Sequence, residues 1–178
     1  IMLHSFGKVF KTFSPNPYER VFFGGTVILC ITLILGTTRY SGTGIEVIAS
    51  AIGGTARNSD FFWKMLFTAI TLACGYKGGE IIPSFFVGAT FGCVIAPVLG
   101  LSSSLGAAIG MVSVFCGVTN CPIASLLIAL ELFGKAPILY FLLAIAISYM
   151  LSGYYSLYKT QIIAVSKYKN EYVDKKTH

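Results

Sequence analysis

Charge is what this chain has least of. Its 178 residues include 13 Lys and Arg and 7 Asp and Glu, so that 11% are charged, where a soluble domain carries roughly a quarter. A water-exposed globular domain is therefore excluded, and 55% hydrophobic residues with a mean hydropathy of +0.77 point to a membrane protein. Histidine is nearly missing: His4 and His178 are the two present, one near each chain end. With no Ser/His pair and no carboxylate dyad on a helix, enzymatic chemistry is excluded and no cofactor is expected. The five cysteines, at positions 30, 74, 93, 116 and 121, all stand in apolar segments. The nearest pair, Cys116 and Cys121, matches no metal-site spacing, so all five read as small packing residues.

A basic face interleaved with exposed aromatics is absent as well, which argues against nucleic acid. The net charge of +6 sits in the termini and short loops, as positive-inside topology requires. Residues 1–13 carry His4, Lys8 and Lys11 along their length and end without a small-residue cleavage site, which is not a signal peptide. The chain begins at Ile1 rather than Met and is expected to be a fragment of a longer protein.

What is present is a series of apolar runs too short and too often broken for a regular serpentine of spans, each of which needs about 20 residues. Residues 1–13 have near-helical apolar spacing and read as the end of an interfacial helix, broken by Ser14-Pro15-Asn16-Pro17. A run over 21–35 crosses most of a bilayer, and 37–44 is a loop. A short helix over 45–52 ends at Gly53-Gly54. Ser59 or Asp60 is expected to cap a helix over 61–74, with Trp63 and Lys64 at headgroup level. Apolar helices follow over 81–97, where Gly88 and Gly92 form a GxxxG spacing for close packing, and over 105–117. A second break at 118–122 leads through Pro122 into a helix with Glu131 near its end, in a packing or capping role. The run over 138–151 is interrupted at 152–158, and a final helix containing Ile162, Ile163 and Val165 leads into a basic tail, 167–178, placed on the cytoplasmic side.

The rest is organised around residues 75–92. Gly78 and Gly79 permit a tight turn, Pro83 fits the first turn of a helix, and that helix is expected to start at about Ile81. Its first N–H groups lack intrahelical partners and attract an anion. Glu80, an ionisable group at membrane depth, is by default a functional residue; its bland alternative is a surface ion pair with Lys77. Two proline-started helices at Pro83 and Pro122 fit half-helices meeting near a bilayer midplane. Tyr154, Tyr155 and Tyr158 form either a headgroup belt or hydroxyl donors to an anion.

The stretch GGEIIPSFFVGATFG, the following GMVSVFCGVTNCPIASLLIALELF and the segment SGYYSLYKTQII resemble, in that order, three signatures of the CLC chloride channels and proton-coupled anion antiporters. The resemblance covers essentially the whole chain. It implies an all-α membrane fold of short, tilted and broken helices, a single integral-membrane domain over 1–178 equivalent to the C-terminal inverted repeat. The N-terminal repeat, with the gating glutamate, is missing and becomes an expected partner; so do a second subunit in a homodimer, the lipid bilayer, chloride or fluoride, and protons. The implied location is a bacterial inner (plasma) membrane. The implied site comprises Gly78, Gly79, Glu80 and the N–H groups of Ile81 and Ile82, with the Tyr158 hydroxyl, or that of Tyr155, on the anion and no full positive charge to trap it. The implied function is transport of chloride or a similar halide, by channel or antiporter. Glu80 departs from the chloride pattern and is similar to the fluoride-exporting branch, where it becomes the proton-coupling candidate; Ile82 stands where that branch tends to have Thr. A proton-coupled fluoride exporter and a non-conducting half-subunit are the alternatives.

Overall fold

The computed structural model describes residues 16–158, 161–167 and 171–176; the interfacial segment expected over 1–13 lies outside them. Helix α1 (Pro17–Leu35) opens on Pro17 at its first turn and closes on Gly36 in the left-handed region at φ 61°. The short α2 (Ile45–Ile52) and α3 (Asp60–Ala73) follow. Next comes α4 (Ile81–Ile95), extended by a 3₁₀ turn (Ala96–Leu99). The remaining helices are α5 (Ser103–Thr119), α6 (Pro122–Phe133) and α7 (Ile138–Leu151). Two stretches, Pro17–Leu35 and Ile81–Leu99, are long and apolar enough to cross a membrane. The others are shorter, as the broken apolar pattern predicts.

The end of the chain departs from expectation. Ile162, Ile163 and Val165 lie in a strand, β1 (Ile162–Val165), paired antiparallel with β2 (Tyr172–Lys176), so the expected final helix is replaced by a hairpin that includes part of the basic tail. The physical reason is local: three β-branched residues in four favour the extended backbone, and a run that short cannot nucleate a helix.

Helix α5 is the axis of the packing. On one side Ala107 and Met111 join Phe86, Ala89 and Cys93 of α4, together with Val47, Ile48 and Ala51 of α2, Phe67 of α3 and Tyr40. On its other side Ala108, Val112 and Cys116 meet Ala129 of α6 and Phe141 and Ile145 of α7. Lipid tails are as apolar as leucine, so close contact rather than exclusion from water must hold such helices together. The contact here is backbone on backbone. A Cβ added at Gly88 would lie 2.5 Å from the Gly110 carbonyl oxygen and 2.8 Å from Met111 Cα, and one at Gly92 would lie 2.8 Å from the Gly106 carbonyl carbon. The GxxxG spacing read at Gly88 and Gly92 is thus met by a second one, Gly106 and Gly110, on the facing helix.

The cysteines divide: Cys74, Cys93 and Cys116 are buried as packing residues, Cys121 is half-buried, and Cys30 is exposed on α1. Much of α1 is uncovered, with Phe22 72%, Leu33 71% and Ile34 84% exposed. It is tied to the body near its start, where Arg20 Nε donates to the Cys74 carbonyl at 3.3 Å and the Tyr76 hydroxyl donates to the Val21 carbonyl at 3.0 Å.

Because backbone cannot move aside as a side chain can, Gly92→Ala in the full-length protein is expected to lose about 1–3 kcal/mol of stability. Gly78→Ala, with open space around it, should stay within about 0.5 kcal/mol of native. Thermal unfolding in detergent measures both, and equal losses for the two would contradict the close contact.

Candidate functional site

Helix α4 begins where glycine and proline dictate. Gly78 and Gly79 lead to Glu80 at the N-cap (φ −91°, ψ −13°), and Ile81, Ile82 and Pro83 form the first turn. The first intrahelical bond runs from Ser84 N–H to the Glu80 carbonyl at 3.2 Å. Pro83 has no N–H, so the amides left without helical partners are those of Ile81 and Ile82. Glu80 makes no side-chain capping bond to them. No ion pair joins it to Lys77; among the described residues the ion pair present is that of Arg39 with Asp60.

This helix start borders a cavity of about 520 Å³. Gly78, Gly79, Ile82 and Pro83 form one wall, the Ser41-Gly42-Thr43 loop forms another, and Lys64, Thr68 and Thr71 of α3 contribute a third. Of the predicted site residues, Gly78, Gly79 and Ile82 line it, while Glu80 and Ile81 fall between them in the chain without lining it. Tyr158 and Tyr155 stand elsewhere, 46% and 50% exposed, in a segment held to the second helix break: Leu157 N–H donates to the Val118 carbonyl at 2.7 Å, and Asn120 Nδ2 donates to the Tyr155 carbonyl at 2.7 Å. Tyr154 shares a hydrogen bond of 2.9 Å with Ser166 Oγ. Glu131 is exposed on α6.

Asn120 is the polar hub of that second break, in the left-handed conformation at φ 58°. Its Oδ1 accepts from Ser152 Oγ at 3.0 Å and from Lys167 Nζ, which also donates to the Tyr149 carbonyl at 2.7 Å and lies 4.0 Å from the Tyr149 ring centre. Burial pushes the Lys167 ammonium below the ordinary lysine value.

Two residues read from the sequence as a cap and a headgroup anchor make buried contacts to the loop ahead of α2. Ser59 occupies the N-cap of α3 without a side-chain bond, and Asp60 is fully buried. Asp60 Oδ1 accepts from the Tyr40 hydroxyl at 2.8 Å; Oδ2 accepts from Arg39 Nη2 at 3.0 Å and Arg57 N–H at 3.2 Å. Lys64, expected at headgroup level, is 2% exposed, its Nζ donating to the Tyr40 carbonyl at 3.1 Å and to the Gly42 carbonyl, 5.1 Å from the Phe86 ring centre. Trp63 beside it is half-buried against the first core cluster. The signal available in the sequence was the four-residue spacing of Asp60 and Lys64, which sets both on one face of an otherwise apolar helix. Together they fasten the loop that walls the cavity.

Residues 1–153 match the family described as voltage gated chloride channel. A chloride/fluoride channel protein of Pseudomonas syringae pv. tomato is 37% identical over 93% of this chain and 37% of its own length. An uncharacterised protein of Methanocaldococcus jannaschii is 30% identical over 40% of this chain and 18% of its own. A solved structure of a CLC-type fluoride/proton antiporter aligns with a TM-score of 0.84 at 32% identity, covering 88% of this chain and 40% of that one. The chain therefore spans less than half the length of each of these proteins.

Removing one member of a buried charged cluster leaves the rest uncompensated. Asp60→Ala, which strands the Tyr40 hydroxyl and the Arg39 guanidinium, is expected to destabilise the full-length protein by about 3 kcal/mol. A melting temperature matching that of the native protein would show that the cluster does not secure the loop.

Proposed function

This chain belongs to the voltage-gated chloride channel (CLC) family, and from that footing we propose that it forms part of a proton-coupled anion transporter whose substrate is fluoride. The observation that carries the reading is the start of α4, where Glu80 occupies the N-cap without bonding to the helix amides and Gly79 before it and Ile82 two residues after it line the cavity. The partial positive charge of a helix N-terminus and two open N–H groups replace water around an anion that has shed its hydration shell. Neutral amides bind weakly enough to let it leave. Glu80 supplies the proton link: ionised, it repels an anion at the helix start, and protonated, it offers an O–H donor to one. The names of the relatives, a chloride/fluoride channel protein and a fluoride/proton antiporter, support the anion class.

The remainder of the path belongs to the same proposal. Since the chain spans 40% of the solved transporter, an upstream half is taken to complete the pore and supply the gating carboxylate. Tyr158, or Tyr155, is taken to bring its hydroxyl to the anion in that complete subunit. A homodimer in a bacterial inner membrane, with the basic C-terminus on the cytoplasmic side, completes the picture.

Chloride is the second reading, favoured by one observation: the side chain at the helix start is Ile82, 36% exposed and lining the cavity, where a hydroxyl would suit the smaller, more strongly hydrated ion.

Ion-selective-electrode efflux from liposomes containing the full-length protein decides between them. Fast fluoride loss coupled to proton movement, with slow chloride loss, is expected. Glu80→Gln should abolish the coupling. Unchanged proton-coupled transport by Glu80→Gln would sink the role given to this residue, fast proton-coupled chloride loss would establish the second reading, and loss of neither ion would mean a non-conducting subunit.

A further inference from the structure

We propose that Lys64 is a fixed cation of the anion path: its buried ammonium attracts the anion into the cavity at the start of α4 and sets the affinity there. This deepens, and rests on, the reading of that cavity as an anion site.

Three features of the side chain support it. Lys64 is 2% exposed, and it lines the same cavity as Gly78, Gly79 and Ile82. Its hydrogen-bond acceptors are two neutral carbonyls, those of Tyr40 and Gly42, and its other neighbour is the Phe86 ring. The acid nearest in sequence, Asp60, has both oxygens engaged by Tyr40, Arg39 and the Arg57 N–H, and among the described residues no carboxylate pairs with Lys64.

A buried ammonium without a counter-charge is costly, and carbonyl bonds offset only part of that cost. Fastening the loop does not account for the charge. Two carbonyls need two donors, which a neutral side-chain amide supplies, whereas an ammonium has three N–H groups and a unit of charge besides. What lies beside it is a cavity bordered by the open end of a helix. An anion there is the missing counter-charge, held from one side by amides and from the other by the ammonium. The two carbonyls and the ring draw on the same positive charge, which keeps the anion from being trapped.

The test uses the full-length protein, with Lys64→Gln and Lys64→Met to remove the charge and Lys64→Arg to keep it. Calorimetric titration with sodium fluoride and sodium chloride in detergent reads affinity directly, and liposome efflux reads half-saturating concentration and maximal rate separately. The neutral variants are expected to bind at least about tenfold more weakly, as loss of a unit charge within several ångströms of an anion implies, with maximal rate changed less than affinity. Lys64→Arg is expected to stay close to native. Neutral variants that bind with native affinity overturn the proposal. So does failure of the neutral variants to fold when Lys64→Arg folds, since the charge would then serve the fold, and so does failure of all three to fold, which would make the compact ammonium a packing device. Because affinity is measured without transport, a native protein that binds anions tightly and moves none refutes the transport reading alone; one that binds neither anion refutes both.

Discussion

A helix that starts inside an apolar layer has to give its first amides to something other than water. The two interruptions in this chain are surrounded differently. At the α5–α6 junction the surrounding chain closes in: Asn120 bridges to Tyr155 and Ser152, Leu157 reaches back to Val118, and Lys167 covers the same carboxamide and the last turn of α7. At the α3–α4 junction Arg20 and Tyr76 tie residues 74–76 to α1, and those bonds stop short of the start of α4. Glu80 leaves the amides of Ile81 and Ile82 alone, and the space beside them stays open. One break is covered by its own chain, and the other borders a cavity.

The open break keeps its place because of what lies behind it. Helix α4 is pressed against α5 along four glycines, and α5 is held from its far side by α6 and α7 through Cys116, Ala129 and Phe141. The opposite wall is fixed independently by Asp60 and Lys64, which grip the loop ahead of α2 through its Arg39 and Tyr40 side chains and the Tyr40 and Gly42 carbonyls. Two unrelated sets of contacts, one apolar and one ionic, therefore define a single cavity.

How much of this is readable from the residues depends on how local the cause is. The start of α4 at Ile81, the break before Pro122 and the Gly88 and Gly92 contact face are set by glycine and proline within a few positions, and the sequence shows them plainly. The hairpin after residue 161 was hidden by the apolar character of Ile162, Ile163 and Val165, which suits a membrane helix and a strand equally until a partner strand decides. Asp60 and Lys64 look like ordinary end-of-helix residues because their partners lie some twenty positions upstream, in a loop whose return to α3 no periodicity announces. The positions of Tyr155 and Tyr158 relative to the cavity are likewise a matter of tertiary placement, and within this chain they do not border it.

The four-glycine contact has a genetic consequence. Third-base changes in a glycine codon are silent, but every first- or second-base change gives a residue that bears a Cβ or a stop, and at Gly88, Gly92, Gly106 and Gly110 that carbon would collide with the facing segment. No single-base missense change at these positions is harmless to the packing, so only silent drift is neutral there.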